Sequence, residues 1–197
     1  MTTTLDELKA AVPAQGWLGE ALERVAADPG AIGRLFPAAG RRVGRDALAD
    51  VPGWSTDEAA RALLLAAVPA DRVAAEAEGL YRYGDAAEKR AVLKALPLLP
   101  IADQGVPLLR DAIRTNDTRL VAAALGPYAR HLDDAAWRQA VLKCVFMGVP
   151  LSSVDSLDER ADAELATMLA GLVEERRAAG RDMAPDALAL LDRLKGL

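Results

Sequence analysis

The stretch DAELATMLAGLVEERRAA, residues 162–179, decides the fold. Leu165, Met168, Leu169 and Leu172 recur at steps of three and four, the spacing that stacks side chains on one face of an α-helix. A strand would scatter them over both faces, because its side chains alternate. Advancing about 100° per residue, these four and Ala179 share one arc, and that arc is expected to face the core. Glu175 and Arg176 are read onto the same arc. An unpaired buried charge costs roughly several kcal/mol, so each is expected to meet a partner or a ligand.

Working outward, nearly every other segment has the same periodicity. Leu5, Leu8 and Val12 mark a first helix behind Thr4, and Trp17 to Val25 a second, stopped by Asp28-Pro29-Gly30. Residues from about 29 to 54 read as an irregular connecting segment containing Arg41, Arg42 and Arg45. Ser55 with Glu58 forms a capping box for a helix over 57–68, and Leu63-Leu64-Leu65 predicts burial on most of its sides. Further helices are expected from Pro69 to about Tyr83, behind the Asp85/Glu88 capping box, and from Val106 to near Thr115. Three more follow at 117–125, 133–147 and 162–179, and a last at 186–194, with Gly148 and Gly180 as stops. No segment alternates with β-branched enrichment, so the fold class is all-α. The expected architecture is a single domain over 1–197, with about ten short helices stacked as α-hairpins in a HEAT-like α-solenoid. That last inference rests on spacing, not on repeated residues.

Composition narrows the function. Apolar residues make up 52% of the 197, aromatics only 4%, and the net charge is −5. An acidic chain without a basic stripe is poorly suited to nucleic acid or an anionic membrane. One cysteine, Cys144, excludes an internal disulfide, and one histidine, His131, excludes a site needing two imidazoles. No apolar run approaches the ~20 residues of a membrane span. The first residues lack a basic then apolar leader, so the cytoplasm is the expected compartment. Phosphate loops, dinucleotide fingerprints, zinc spacings and nucleophile elbows are absent. No metal and no cofactor is expected. His131 reads as a solvated loop residue and Cys144, on the stripe of Trp137 and Val141, as a buried thiol.

Single polar groups remain as candidates. Gln139 and Lys143 share one helix face. Arg114 and Asn116 sit at a helix end, where one would neutralise the C-terminal dipole and the other cap the next helix. Asp158 and Arg160 precede the 162–179 helix and would either clamp its start or pair with Arg176 and Glu175. Asp57 and Arg61 make an ordinary intrahelical pair. The Arg41-Arg42-Arg45 cluster is read as solvated, with an acidic ligand as the alternative.

In order along the chain stand Leu35-Phe36-Pro37, Arg41-Arg42-Val43-Gly44-Arg45, Asp57 with Arg61, and Leu96-Pro97-Leu98-Leu99-Pro100. Then come Arg114-Thr115-Asn116, Pro127-Tyr128, Trp137 to Lys143, Pro150-Leu151, Leu157-Asp158, Arg160-Ala161, Glu175-Arg176 and Ala178 to Arg181. This series resembles the EboA family. The family's usual His and Trp beside the Glu-Arg pair are Glu174 and Arg177 here, while Glu175 and Arg176 keep their places. The resemblance implies a bacterial protein of metabolite traffic, working beside enzymes of a gene cluster that makes or moves a secondary metabolite. It implies no assigned reaction and no catalytic residues. With it, Tyr128 and Arg181 join Arg114, Asn116, Gln139, Lys143, Asp158, Arg160, Glu175 and Arg176 as ligand-binding candidates.

Three readings stand. The first is a non-catalytic helical protein that binds a small metabolite or docks the cluster's enzymes, with Glu175, Arg176, Arg114 and Lys143 approaching a common cavity. The second is an enzyme acting on a small anionic metabolite, with Glu175 as base and Arg176 and Lys143 holding the substrate. The third is a buried ion-pair network that only fixes helix packing. Nucleic acid and membrane insertion are not expected.

Overall fold

The computed structural model describes residues 3–13 and 16–196. Among them are twelve α-helices and no strand; a lone antiparallel bridge joins Ala47 and Ser55. The all-α class is therefore observed. The chain divides into two compact units, Met1–Leu108 and Leu109–Leu197.

The first unit holds α1 (Leu5–Ala11), α2 (Gly16–Ala27), α3 (Ile32–Arg42), α4 (Thr56–Ala66), α5 (Val73–Tyr83), α6 (Ala86–Ala95) and the start of α7 (Val106–Arg114). Its centre is α4, which packs against α1, α2, α3, α5 and α6. The sequence explains why α4 takes that place. Ala59, Ala60 and Ala62 let neighbouring backbones come close, and Leu63, Leu64 and Leu65 point apolar groups in three successive directions. All six are buried. Around them lie Leu8 of α1, Leu18, Ala21 and Val25 of α2, Phe36 of α3, Val73 and Ala77 of α5, and Val92 of α6.

The segment near 29–54 differs from expectation. Residues 32–42 form helix α3, behind a short 3-10 turn at Pro29–Ala31. Pro37 lies inside that helix and argues against it on sequence, since proline forfeits one helical bond. The carbonyl left without that bond belongs to Gly33, four residues back, and Gly33 is exposed to water. Ile32, Phe36 and Ala39 then bury one face at helical spacing, which outweighs the lost bond.

The second unit holds the rest of α7, then α8 (Thr118–Ala124), α9 (Asp134–Met147), α10 (Leu157–Arg160), α11 (Ala163–Ala178) and α12 (Pro185–Lys195). Its helices pack α8 on α9, α9 on α11 and α11 on α12. Two glycine stops close as expected. Gly148 has φ +71° and Gly180 φ +64°, the left-handed geometry that ends a helix without a Cβ clash. Val149 N–H then donates to the Cys144 carbonyl, and Arg181 N–H to that of Arg176, both at 2.9 Å. Asn116 does not cap α8; Asp117 does, its carboxylate accepting from Arg119 N–H at 2.9 Å. Among the described residues no helix is long and apolar enough to cross a membrane.

Candidate functional site

Buried charge is concentrated at the start of α4. Asp57, Glu58 and Arg61 are all under 5% exposed, on a helix buried at every position from Thr56 to Leu65. The helix opens at Ser55, whose N–H donates to Glu58 Oε2 at 3.1 Å and whose hydroxyl donates to Asp57 Oδ1 at 2.6 Å. Thr56 Oγ1 donates to the Asp46 carbonyl at 3.0 Å, tying the preceding loop to the same turn.

Four residues separate Asp57 from Arg61, so they face each other along the helix. Arg61 Nη1 meets Asp57 Oδ2 at 2.5 Å, its Nε donates to the Phe36 carbonyl at 3.1 Å, and its guanidinium lies 5.5 Å from the centre of the Phe36 ring. Glu58 is held from α6: Arg90 Nη1 reaches Oε1 at 2.8 Å, and Lys94 Nζ bonds Oε2. Lys94 also donates to the Gly53 carbonyl at 2.6 Å and lies 4.2 Å from the Trp54 ring centre. Burial pulls the Lys94 ammonium below its ordinary pKa, and the Glu58 carboxylate pulls it back up. Every carboxylate oxygen in this cluster already accepts a bond. Such pairing is what makes buried ions tolerable, and it ties both carboxylates into the scaffold.

A recess of about 280 Å³ opens elsewhere in the same unit. Its floor is apolar: Ala77, Leu96, Ile101 and Leu108, all buried. Glu78 and Gln104 stand on its rim. Helix α5 lines it with the small Ala74, Ala75 and Ala77 and with Glu78.

In the second unit, arginines bind the ends of helical segments. Arg160 donates to the carbonyls of Ala129 at 2.8 Å and Leu132 at 2.9 Å, pairs with Asp134 at 2.9 Å, and stacks 4.7 Å from the centre of the Trp137 ring. Arg138 bonds Asp162, which caps α11 by accepting from Leu165 N–H at 3.0 Å. The Arg138 guanidinium and that backbone N–H hold the Asp162 carboxyl below its ordinary pKa. Arg176 donates to the carbonyls of Phe146 and Asp182, each at 3.0 Å. The carbonyls of Leu132, Phe146 and Asp182 lie at or beyond helix ends, where backbone acceptors lack intrahelical donors; that of Ala129 also accepts from Leu132 N–H. Cys144 is buried, and burial pushes its thiol up to about 12, so at neutral pH it is a protonated core group rather than a nucleophile.

The residues named from sequence fall as follows. Arg114 is exposed and pairs with Asp111 at 2.9 Å; Asn116, Gln139 and Arg181 are exposed; Lys143 is half-buried. Tyr128 is buried, its ring 4.7 Å from that of His131. Asp158 is exposed and pairs with Arg193 at 2.8 Å. Asp158 and Arg160 therefore do not pair with Arg176 and Glu175. Arg176 is half-buried, as its place on the apolar arc requires, but Glu175 is exposed. The buried face of α11 centres on Leu165 and Leu169, which leaves Glu175 beyond its edge. Among the described residues no hydrogen bond or ion pair joins Glu175, Arg114 and Lys143 to one another, and no cluster of three His, Cys, Asp or Glu could hold a metal.

Two features escaped the sequence reading. Glu58, Lys94 and Arg90 join across 32 and more positions, which no local pattern reveals. The alanines on the recess side of α5 were visible, but not what faces them.

A family model described as metabolite traffic protein EboA matches residues 49–192, most of the chain. No curated protein and no solved structure matches.

Proposed function

The chain belongs to the EboA family of metabolite traffic proteins, and from that premise we propose that it is a non-catalytic helical binding or scaffold protein. In this reading it holds or hands over a small metabolite beside the enzymes of a bacterial gene cluster that makes or transports a secondary metabolite, in the cytoplasm. The observation that supports binding over catalysis is that the buried charges are engaged with the scaffold itself. Asp57 and Glu58, the most enclosed carboxylates, spend their oxygens on Ser55, Arg61, Arg90 and Lys94. An acid–base catalyst needs a group that can exchange a proton with its substrate, whereas a carrier needs only a shaped recess with a few polar groups.

The same proposal treats 1–197 as one EboA-like domain, which the span of the family match supports, and its α-hairpins as a HEAT-like solenoid, which the short connections such as Gly84-Asp85 support. It assigns Arg114, Asn116, Tyr128, Gln139, Lys143, Asp158, Arg160, Glu175, Arg176 and Arg181 to ligand or partner contact. Exposed pairs such as Arg114 with Asp111 and Asp158 with Arg193 suit docking, because a solvated ion pair is exchanged at a cost of only about 1 kcal/mol or less. The alternative, an enzyme with Glu175 as base, gains nothing from the geometry: Glu175 is exposed and Arg176 is committed to two backbone carbonyls.

Native mass spectrometry of the protein purified without denaturation tests the proposal. The expected result is a discrete small-molecule adduct that disappears, with its mass unchanged, when the protein is denatured. Conversion of the released molecule to a new species by fresh protein would contradict it.

A further inference from the structure

We propose that the recess between α5 and the start of α7 is a binding site for a compact, mostly apolar molecule with an alcohol or amine head, and that it rejects carboxylates and phosphates. This rests on the reading of the protein as a binder and names the chemistry of its cargo.

Size comes first. About 280 Å³ equals roughly nine water volumes at ~30 Å³ each, near the lower end of pockets that enclose small organic molecules. Shape follows from residue choice. Leucines at 74 or 75 would close the space and bury more apolar surface; alanines keep it open over a floor of Ala77, Leu96, Ile101 and Leu108. Apolar side chains below and polar groups at the rim suit a ligand that carries both kinds of surface.

The rim sets the charge. No Lys, Arg or His is among the lining residues; the one ionised group is Glu78. Helix α7 begins at the recess, and a helix start can hold an anion through its free N–H groups. Here most of those beside the recess are already used. Gln104 N–H donates to Ile101, Val106 N–H to Asp103 and Leu108 N–H to Gly105, each at 3.0 Å, and Pro107 has no N–H. An anion entering would meet the Glu78 carboxylate and no cationic side chain. An alcohol or ammonium would instead donate to Glu78. Its present partner, Arg82 at 2.5 Å, is an exposed i,i+4 pair with both side chains more than half exposed, so it yields at little cost.

The test is a methyl-resolved NMR titration of the full chain with benzylamine, benzyl alcohol and benzoate, three molecules of one size and three charges. Benzylamine and benzyl alcohol are expected to shift the Ala74, Ala77, Ile101 and Leu108 methyl signals saturably, with benzoate about tenfold weaker or worse. Ala75→Leu, an exposed and helix-compatible change that plugs the mouth, should weaken both ligands about tenfold; Ala74→Met serves if that variant misfolds by circular dichroism. Glu78→Gln should weaken benzylamine several-fold and leave benzyl alcohol unchanged. Benzoate binding as well as benzylamine, saturable shifts elsewhere, no saturable shift at all, or indifference to the plugging variant would each overturn the assignment. A native adduct that persists in Ala75→Leu would remove this site yet leave the binder reading intact, whereas an adduct that turns over would do the reverse.

Discussion

Helices α4 and α11 both mix apolar and ionised residues, and the structure treats them in opposite ways. In α4 ten successive residues from Thr56 to Leu65 are buried, charges included. In α11 only Leu165 and Leu169 are buried, and Glu175 faces water. The difference lies in the neighbours. Five helices surround α4, so any charge on it must find a partner inside the protein; α11 packs on α9 and α12, and Glu164, Thr167, Glu174, Glu175 and Arg177 on it stay exposed. A charge on a helical arc is enclosed only where other elements cover that arc. The same side-chain chemistry therefore gives a structural bolt in one helix and a solvated surface in the other.

The sharpest way to break this contrast is Asp57→Ala. It strands Arg61 without its carboxylate and is expected to cost about 3–5 kcal/mol in urea unfolding. A loss of less than about 1 kcal/mol, the range of an exposed pair, would mean that the cluster is wet. Arg160→Ala should come next, at about 2 kcal/mol, because two backbone carbonyls lose a charged donor and the Trp137 ring loses its stacking partner. Preserved stability there would show that the second unit's arginines are decorative.

Asp162→Asn is subtler. Asparagine caps as well as aspartate, so the substitution removes the charge paired with Arg138 and little else. The folded Asp162 carboxyl lies below its ordinary 3.8. Its contribution is thus full above the unfolded value and is lost as pH falls through the folded one. The melting temperature of the wild type should exceed that of Asp162→Asn above pH 3.8, with the gap closing below it; a gap that widens in acid would reverse the assignment. Smallest of all, Glu175→Ala should change stability by no more than about 0.5 kcal/mol, and a larger loss would put Glu175 back inside the molecule.

Much of the fold was legible because its signals are local. The Asp85/Glu88 box, the glycine stops at 148 and 180, and the Leu63-Leu64-Leu65 run each report on a few neighbouring residues, and each appears as expected. Helix α3 was not legible, because Pro37 counts against a helix locally while the burial of Phe36 that outweighs it comes from packing. The Asp57–Arg61 pair could be read from its spacing. Its enclosure could have been read too, by joining that spacing to the triple leucine two residues later. Glu175 was misplaced for the converse reason: a helical wheel orders residues around an axis but does not say where cover ends. The recess was beyond reach, since it is an absence of side chains between segments that meet only in three dimensions.

A double-mutant cycle on Asp57 and Arg61, followed by urea unfolding, tests most directly whether the buried charges serve the scaffold rather than a reactive site. Asp57→Leu and Arg61→Met are each expected to destabilise strongly alone, while the double variant loses clearly less than their sum, because two apolar groups replace the pair even though the bonds to Ser55 and the Phe36 carbonyl stay lost. Additive losses would contradict this expectation, since each charge would then be acting through some partner other than its neighbour one turn away.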